Sequence, residues 1–250
     1  MNKLILLGIF VSASAHAAGK VVDETRQVGD FAGVHVGSGI QAKVETGARG
    51  PIVLHGDEDV LKRVRTEIKD AVLTIVIDHS THDTSTETPT TVTIRLPRAS
   101  SLGVSGGAKM DAAVPAAENF EIDASGGGRL QLTTAIQPKR FELNSSGGSS
   151  TTLAGVETPQ AQLHLSGASR VTIAGRVDTA HVELSGAATL DAAGLQVGDL
   201  EIDGSGRAHA EVRAQKSVRG SLSGGSRIRV PAAADVRVDT SGGSSVTRDL

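Results

Sequence analysis

After residue 100 the dipeptide Ser-Gly recurs eight times, at Ser105, Ser125, Ser146, Ser166, Ser185, Ser205, Ser223 and Ser241. Successive copies lie 18 to 21 residues apart. A fixed period of this size marks an array of stacked units, each too small to bury its own apolar side chains. With the serine as position zero, minus three holds Leu102, Ile122, Leu143, Leu163, Val182 and Ile202, and minus five holds Phe120, Phe141, Leu200, Val218 and Val236. Polar residues such as Glu121, Glu142, Gln162 and Glu201 stand between them. That alternation is the period of a half-buried strand. Plus five and plus seven repeat it with pairs such as Leu130 and Leu132 or Val171 and Ile173. Each unit therefore reads as strand, Ser-Gly corner, strand and a variable connection.

The glycine after the serine is present in all eight units: Gly106, Gly126, Gly147, Gly167, Gly186, Gly206, Gly224 and Gly242. Glycine reaches positive φ at no Cβ cost, so these are the expected structural corners. Stacked in register about 4.8 Å apart, the units merge their apolar stripes into one core. The expected fold is all-β: a right-handed parallel β-helix of about 20-residue coils, right-handed because parallel crossovers overwhelmingly are. A helical array is excluded by the spacing of two and by 30 glycines in 250 residues. A propeller is excluded because its blades need about 40 residues each.

The expected organisation is a secretory signal over residues 1–17, an N-terminal capping portion over 18–98, and the Ser-Gly β-helix over 99–250. Lys3, the apolar run Leu4 to Val11 and the small-x-small site Ala15-His16-Ala17 compose the signal. Cysteine is absent, which excludes disulfides and thiol catalysis. The net charge of −3 is interspersed along the sequence, so no polybasic run points to nucleic acid or an anionic membrane.

In the N-terminal portion, Val34 to Val36, Ile40 to Val44, Ile52 to Leu54, Ala71 to Ile77 and Thr91 to Leu96 read as strands. Asp57 to Thr66 reads as a short helix capped by Asp57, with Glu58 and Asp59 in its first turn. The run Val36-Gly37-Ser38-Gly39-Ile40-Gln41-Ala42-Lys43-Val44, followed by a short helix and Ser-Gly coils, resembles the bacterial putative autotransporter-adhesin head GIN domain family. Gln41 stands where that family's naming motif has Asn. The resemblance covers residues 25–245 and implies an exported β-helical protein with an adhesin-like role; it carries over no catalytic residue.

Candidate sites are few. Gly103-Val104-Ser105-Gly106-Gly107 fits G-x-S-x-G, but a nucleophile elbow needs a helix after the turn and a repeat corner offers none. The corner serines are expected to bond local backbone groups, as serine does in turns. Asp78, His79, His82 and Asp83 lie within six residues in a polar stretch, a weak metal site without partners elsewhere. His164, His181 and His209 fall at minus two, minus four and plus four and need not meet. Glu121, Asp123, Glu142, Glu183, Glu201, Asp203 and Asp239 occupy outward strand positions; Glu121 and Glu142 become neighbours if coils stack in register. Paired acids can cleave glycosides or hold a cation, but acidic ladders also keep a sheet soluble.

These features lead to an expected exported, non-enzymatic β-solenoid, an adhesin-like structural or interaction module of the periplasm or cell surface. It has no catalytic, metal or cofactor-binding residue and no nucleic-acid partner. The alternative is a polysaccharide-active or carbohydrate-binding β-helix protein. The C-terminal coil, whose Ser-Gly pattern continues to Val246, is the expected edge for self-association or an envelope partner.

Overall fold

The computed structural model describes residues 20–78 and 88–249. The expected signal over 1–17 and the residues His79, His82 and Asp83 lie outside the described residues. Before the Ser-Gly array the chain forms β1 (Val21–Arg26), β2 (Gly33–Val36), β3 (Gln41–Thr46), β4 (Ile52–Asp57), α1 (Glu58–Leu61), β5 (Val64–Lys69), β6 (Val72–Ile77) and β7 (Thr91–Leu96). The array contributes β8 (Ala99–Val104), β9 (Lys109–Ala113), β10 (Ala116–Ala124), β11 (Arg129–Leu132) and β12 (Arg140–Ser145). It continues with the long strands β13 (Ser150–Leu165), β14 (Arg170–Leu184), β15 (Thr189–Gly204) and β16 (His209–Leu222), then β17 (Arg227–Val230), β18 (Asp235–Thr240) and β19 (Ser245–Arg248).

These strands stack as parallel coils of a β-solenoid. Strands leading into a corner pair in parallel in the order β6, β2, β8, β10, β12, then the C-terminal halves of β13 to β16, then β18. Strands leaving a corner do the same through β7, β3, β9, β11, the N-terminal halves of β13 to β16, β17 and β19. The long strands bend midway into a short third side, where Val156, Val177 and Val197 turn inward. The period-two residues read from sequence fill the interior: Leu102, Ile122, Leu143, Leu163, Val182 and Ile202 are all buried.

Corner register is uniform. Each of the eight serines donates its backbone N–H to the coil before it, as Ser166 does to Ser145 O at 2.8 Å and Ser185 to Leu165 O at 2.9 Å. All eight following glycines have positive φ, from +55° at Gly106 to +80° at Gly206. The expected hydroxyl-to-backbone bond is not the corner's fastening. Among the described residues the hydroxyls of Ser146, Ser166, Ser185, Ser205 and Ser223 donate to no protein group. The ladder of backbone amides does that work, which leaves the hydroxyls facing outward.

The N-terminal portion is built from the same coil. Val36 pairs with Val104, which sets Gly37 beside Ser105 and Ser38 beside Gly106. Ser38 and Gly39 have φ of 56° and 74°, matching 55° and 77° at Gly106 and Gly107. Gly37-Ser38-Gly39 is thus a corner whose serine sits one place late. The coil of β6 and β7 follows that of β2 and β3 in sequence, yet stacks outside it. Its outer edge is then closed by antiparallel strands, β5 on β6, β4 on β7 and β1 on β4, which removes an open edge at this end.

Asp57 caps α1 as expected, its Oδ1 accepting from Asp59 N at 2.9 Å. The helix, however, ends at Leu61, and Val64 and Thr66 lie in β5 opposite Ile77 and Ile75. The β-branched Val64, Thr66 and Ile68 suit an extended strand, and the edge of β6 supplies its hydrogen bonds.

Among the described residues three hydroxyls are buried without a partner, those of Thr151, Ser169 and Ser244. Thr151 stands in a row where neighbouring coils place Leu130 and Val171. Thr151→Val keeps the shape and removes the orphan hydroxyl, so stability should rise by about 1 kcal/mol. A urea midpoint equal to or below wild type would show that the hydroxyl is satisfied in solution.

Candidate functional site

Two outward rows run along the sheet that leads into the corners. The row two residues before the corner contains His35, Gly103, Asp123, Asn144, His164, Glu183, Asp203, Ser221 and Asp239, each beside the next. The row four residues before contains Glu121, Glu142, Gln162, His181 and Glu201. Between the inner row and the corner hydroxyls lies a groove of about 490 Å³, lined by Asn144, His164, Glu183, Asp203 and the serines 146, 166, 185, 205 and 223 among others.

Stacking brings His164 and His181 together, against the expectation that they need not meet. His164 Nδ1 lies 3.1 Å from Glu183 Oε2 and His181 Nε2 lies 3.1 Å from Glu183 Oε1. His181 Nδ1 approaches Glu201 Oε2 at 3.4 Å. The hydrogen bond to Glu183, with help from Glu201, raises the His181 pKa above the usual imidazole value. The bonds from His181 and His164 hold Glu183 below the usual carboxylate range. His209 stands apart on the other sheet, between Thr189 and Arg227.

Glu121 and Glu142 are direct neighbours, as in-register stacking requires. With Asp123 they converge on one amide: Asn144 Nδ2 donates to Glu142 Oε1 and Asp123 Oδ1 at 3.2 Å and to Glu121 Oε1 at 3.4 Å. Burial first, and then the charges of Asp123 and Glu142, push the Glu121 pKa up. Asp203 accepts from Ser221 N and Oγ at 2.9 and 2.6 Å. Asp239 lies at the last coil, beside Ser221. Asp78 pairs with Arg65. Among the described residues no cluster has the makings of a metal site.

Ser105 has a partner that sequence reading missed. His35 Nε2 lies 3.0 Å from Ser105 Oγ, and the ring spreads over Gly103, where a Cβ would collide with it. Burial lowers the His35 pKa, opposed by the charge of Asp123. The signal was available: once Gly37 is read as a corner position, His35 falls in the same row as His164. The setting of a hydrolase elbow is missing, because Ser105 leads through Gly106 and Gly107 into β9 rather than a helix.

The sheet leaving the corners carries a different row. Gln41, Lys109, Arg129, Ser150, Arg170, Thr189, His209, Arg227 and Ser245 stand in consecutive register at its first outward position, without one acid. These cations are some 20 residues or more apart in sequence, which is why they read as interspersed.

The His181–Glu183 pair has a pH signature. A raised imidazole pKa contributes stability below 6.5 and loses it as pH climbs through the raised value; a depressed carboxylate contributes above 4.5 and loses it as pH falls through the lowered value. The pair should therefore stabilise most between those values, by well under about 1 kcal/mol because both groups are partly exposed. The difference between the wild-type and His181→Gln melting-temperature profiles should therefore peak in that window. Parallel profiles across pH 4 to 8 would deny the pairing.

Three solved structures share this fold over nearly their whole length. A putative adhesin from Parabacteroides merdae is 20% identical, covers 93% of this chain and 97% of its own, and superposes with a TM-score of 0.84. A putative adhesin from Parabacteroides distasonis is 22% identical with a TM-score of 0.82, over 92% of this chain and 98% of its own. A putative lipid binding protein from the same species is 16% identical with a TM-score of 0.81, over 93% and 98%. No curated protein matches the sequence significantly. The model of one family, described as "putative auto-transporter adhesin, head GIN domain", matches residues 30–234, from the Gly37-Ser38-Gly39 coil through the first seven Ser-Gly corners. The chain belongs to that head GIN domain family.

Proposed function

We propose that this protein is an exported, non-enzymatic, adhesin-like interaction module of the bacterial cell envelope, which engages its partners along the sides of the rod. The observation that carries this reading is the ladder of corner hydroxyls, free of protein partners and lining a continuous groove across five coils. A structural rod needs its backbone ladders, but not a row of unengaged hydroxyls beside imidazoles and carboxylates. The family's adhesin-like description and the Lys3-to-Ala17 sequence pattern support the same reading.

The C-terminal coil is a second proposed contact. β18 and β19 each pair on one edge among the described residues, and Val236, Val238 and Val246 are only partly covered. Arg248 Nη2 donates to Val236 O at 3.1 Å and the Arg229–Asp249 pair spans 2.7 Å, so charge already blunts part of this edge.

Protease treatment of intact cells, with the mass of the recovered protein, tests the reading. The expected product begins at Ala18 and is degraded from outside or released with the periplasm. A cytoplasmic product retaining Met1 rejects export. Labelling of Ser105 by a fluorophosphonate would reject the non-enzymatic part, since only an activated serine reacts.

A further inference from the structure

We infer that the cationic row on the sheet leaving the corners is a binding site for a single extended, carboxylated polysaccharide chain. The inference rests on the reading of the protein as an interaction module and names the chemistry of one of its partners. Lys109, Arg129, Arg170 and Arg227 are exposed and aligned in one register row, with Arg207 at the corner beside it. Among the described residues none of these five makes an ion pair or a side-chain hydrogen bond. Several other basic side chains are engaged, Lys43 with Glu45, Lys139 with Glu118, Arg229 with Asp249 and Arg237 with Asp235, whereas Arg140, Arg176, Arg213 and Arg219 also lack an ion pair among the described residues. The row is therefore a stretch of uncompensated positive charge on a chain whose net charge is negative.

Its shape selects the partner. The row is one charge wide, and rungs repeat at about 4.8 Å, so Arg129 and Arg170, two coils apart, stand roughly 10 Å from each other. Between and beside them Ser150, Gln131, Thr152 and Thr172 offer hydroxyls and an amide, with no acid at either outward position of these three coils. Acids return on the flanks at Asp111, Asp191 and Glu211. A single strand with a carboxylate every one or two sugar units and hydroxyls between fits donors arranged this way. A membrane plane needs a wider cationic field. A single-stranded nucleic acid needs stacking platforms, and this chain has no Trp, no Tyr and four Phe, of which Phe31, Phe120 and Phe141 are buried.

The test is binding of the purified protein to immobilised polygalacturonate, with neutral dextran and an oligothymidylate for comparison. Arg129→Glu/Arg170→Glu alters the row. Arg219→Glu/Arg237→Glu, on the other sheet, changes net charge by the same amount. Polygalacturonate should be retained, released by salt, and bound roughly tenfold or more weakly by the row variant but not by the control. Circular dichroism melts should show both variants folded. No retention of polygalacturonate, equal loss in both variants, or equal binding of dextran or oligothymidylate overturns the assignment. So does self-association of the wild type that only the row variant loses, because a second copy would then occupy the row. A surface-exposed protein that ignores polygalacturonate loses only this ligand. One that binds it but is never exported loses the module reading instead.

Discussion

Replacing Gly186 by valine should destabilise the solenoid by on the order of 3–4 kcal/mol. Two effects add at this corner. Gly186 has a φ of +72°, where a β-branched residue is strained, and a Cβ there would sit 2.8 Å from the carbonyl oxygen of Gly167 in the coil before. That oxygen is also the acceptor for Ala187 N at 2.7 Å, so relieving the clash breaks a rung of the corner ladder. Gly106→Val should cost less. Its φ is +55°, but its Cβ would meet only the Ser38 backbone, no nearer than 3.3 Å, leaving mainly the strain at roughly 1–3 kcal/mol. Urea denaturation of both variants reads the difference. Equal midpoints for the two would mean that coil-to-coil contact adds nothing to the φ requirement, and a Gly186→Val protein as stable as wild type would remove the corner ladder from the account.

The coils were legible because their periodicity is local: a spacing of two on either side of an unchanging Ser-Gly announces strand, corner and strand before any tertiary contact is known. Thr91 to Leu96 was placed to the residue for the same reason, with Pro97 ending it. Features that depend on stacking were harder to read. Gly37-Ser38-Gly39 escaped as a corner because its serine occupies the position that glycine holds elsewhere, and only the pairing of Val36 with Val104 exposes the offset. The helix from Asp57 lost its second half because Val64 to Lys69 finds an unpaired strand edge that outweighs helical pattern. The candidate site was legible as residue types and not as an arrangement. Glu121 and Glu142 met because equal offsets in adjacent coils must meet, whereas His164 and His181 differ in offset and are joined by the reach of Glu183 and an edge contact between their rings. His35 and Ser105 are 70 residues apart and touch because the first coil stacks on the array. The cationic row is the extreme case, with no two members close enough in sequence to read as a cluster.

Truncating Phe141 to alanine should cost more than any other single change in the interior rows of the array, about 3–5 kcal/mol. The chain has four Phe and no Trp or Tyr, and two of the four meet here. Phe141 is fully buried, and its ring stacks on that of Phe120 at 6.2 Å between centroids with 19° between planes. The stack itself adds about 0.5–1.5 kcal/mol beyond burial. On the far side of Phe141 the same row holds Ala161 and then Ala180, so no large side chain stands ready to fill the space. Coils fixed in register at about 4.8 Å cannot collapse sideways to close it either. Phe120→Ala should cost somewhat less, since its ring keeps 2% exposure and borders the coil of β8. Phe141→Leu should recover part of the loss by refilling part of the volume. A loss below about 1 kcal/mol for Phe141→Ala, on a scale where Thr151→Val gains stability, would mean that the aromatic pair lies outside the packed row and that the solenoid relies on its backbone ladders alone.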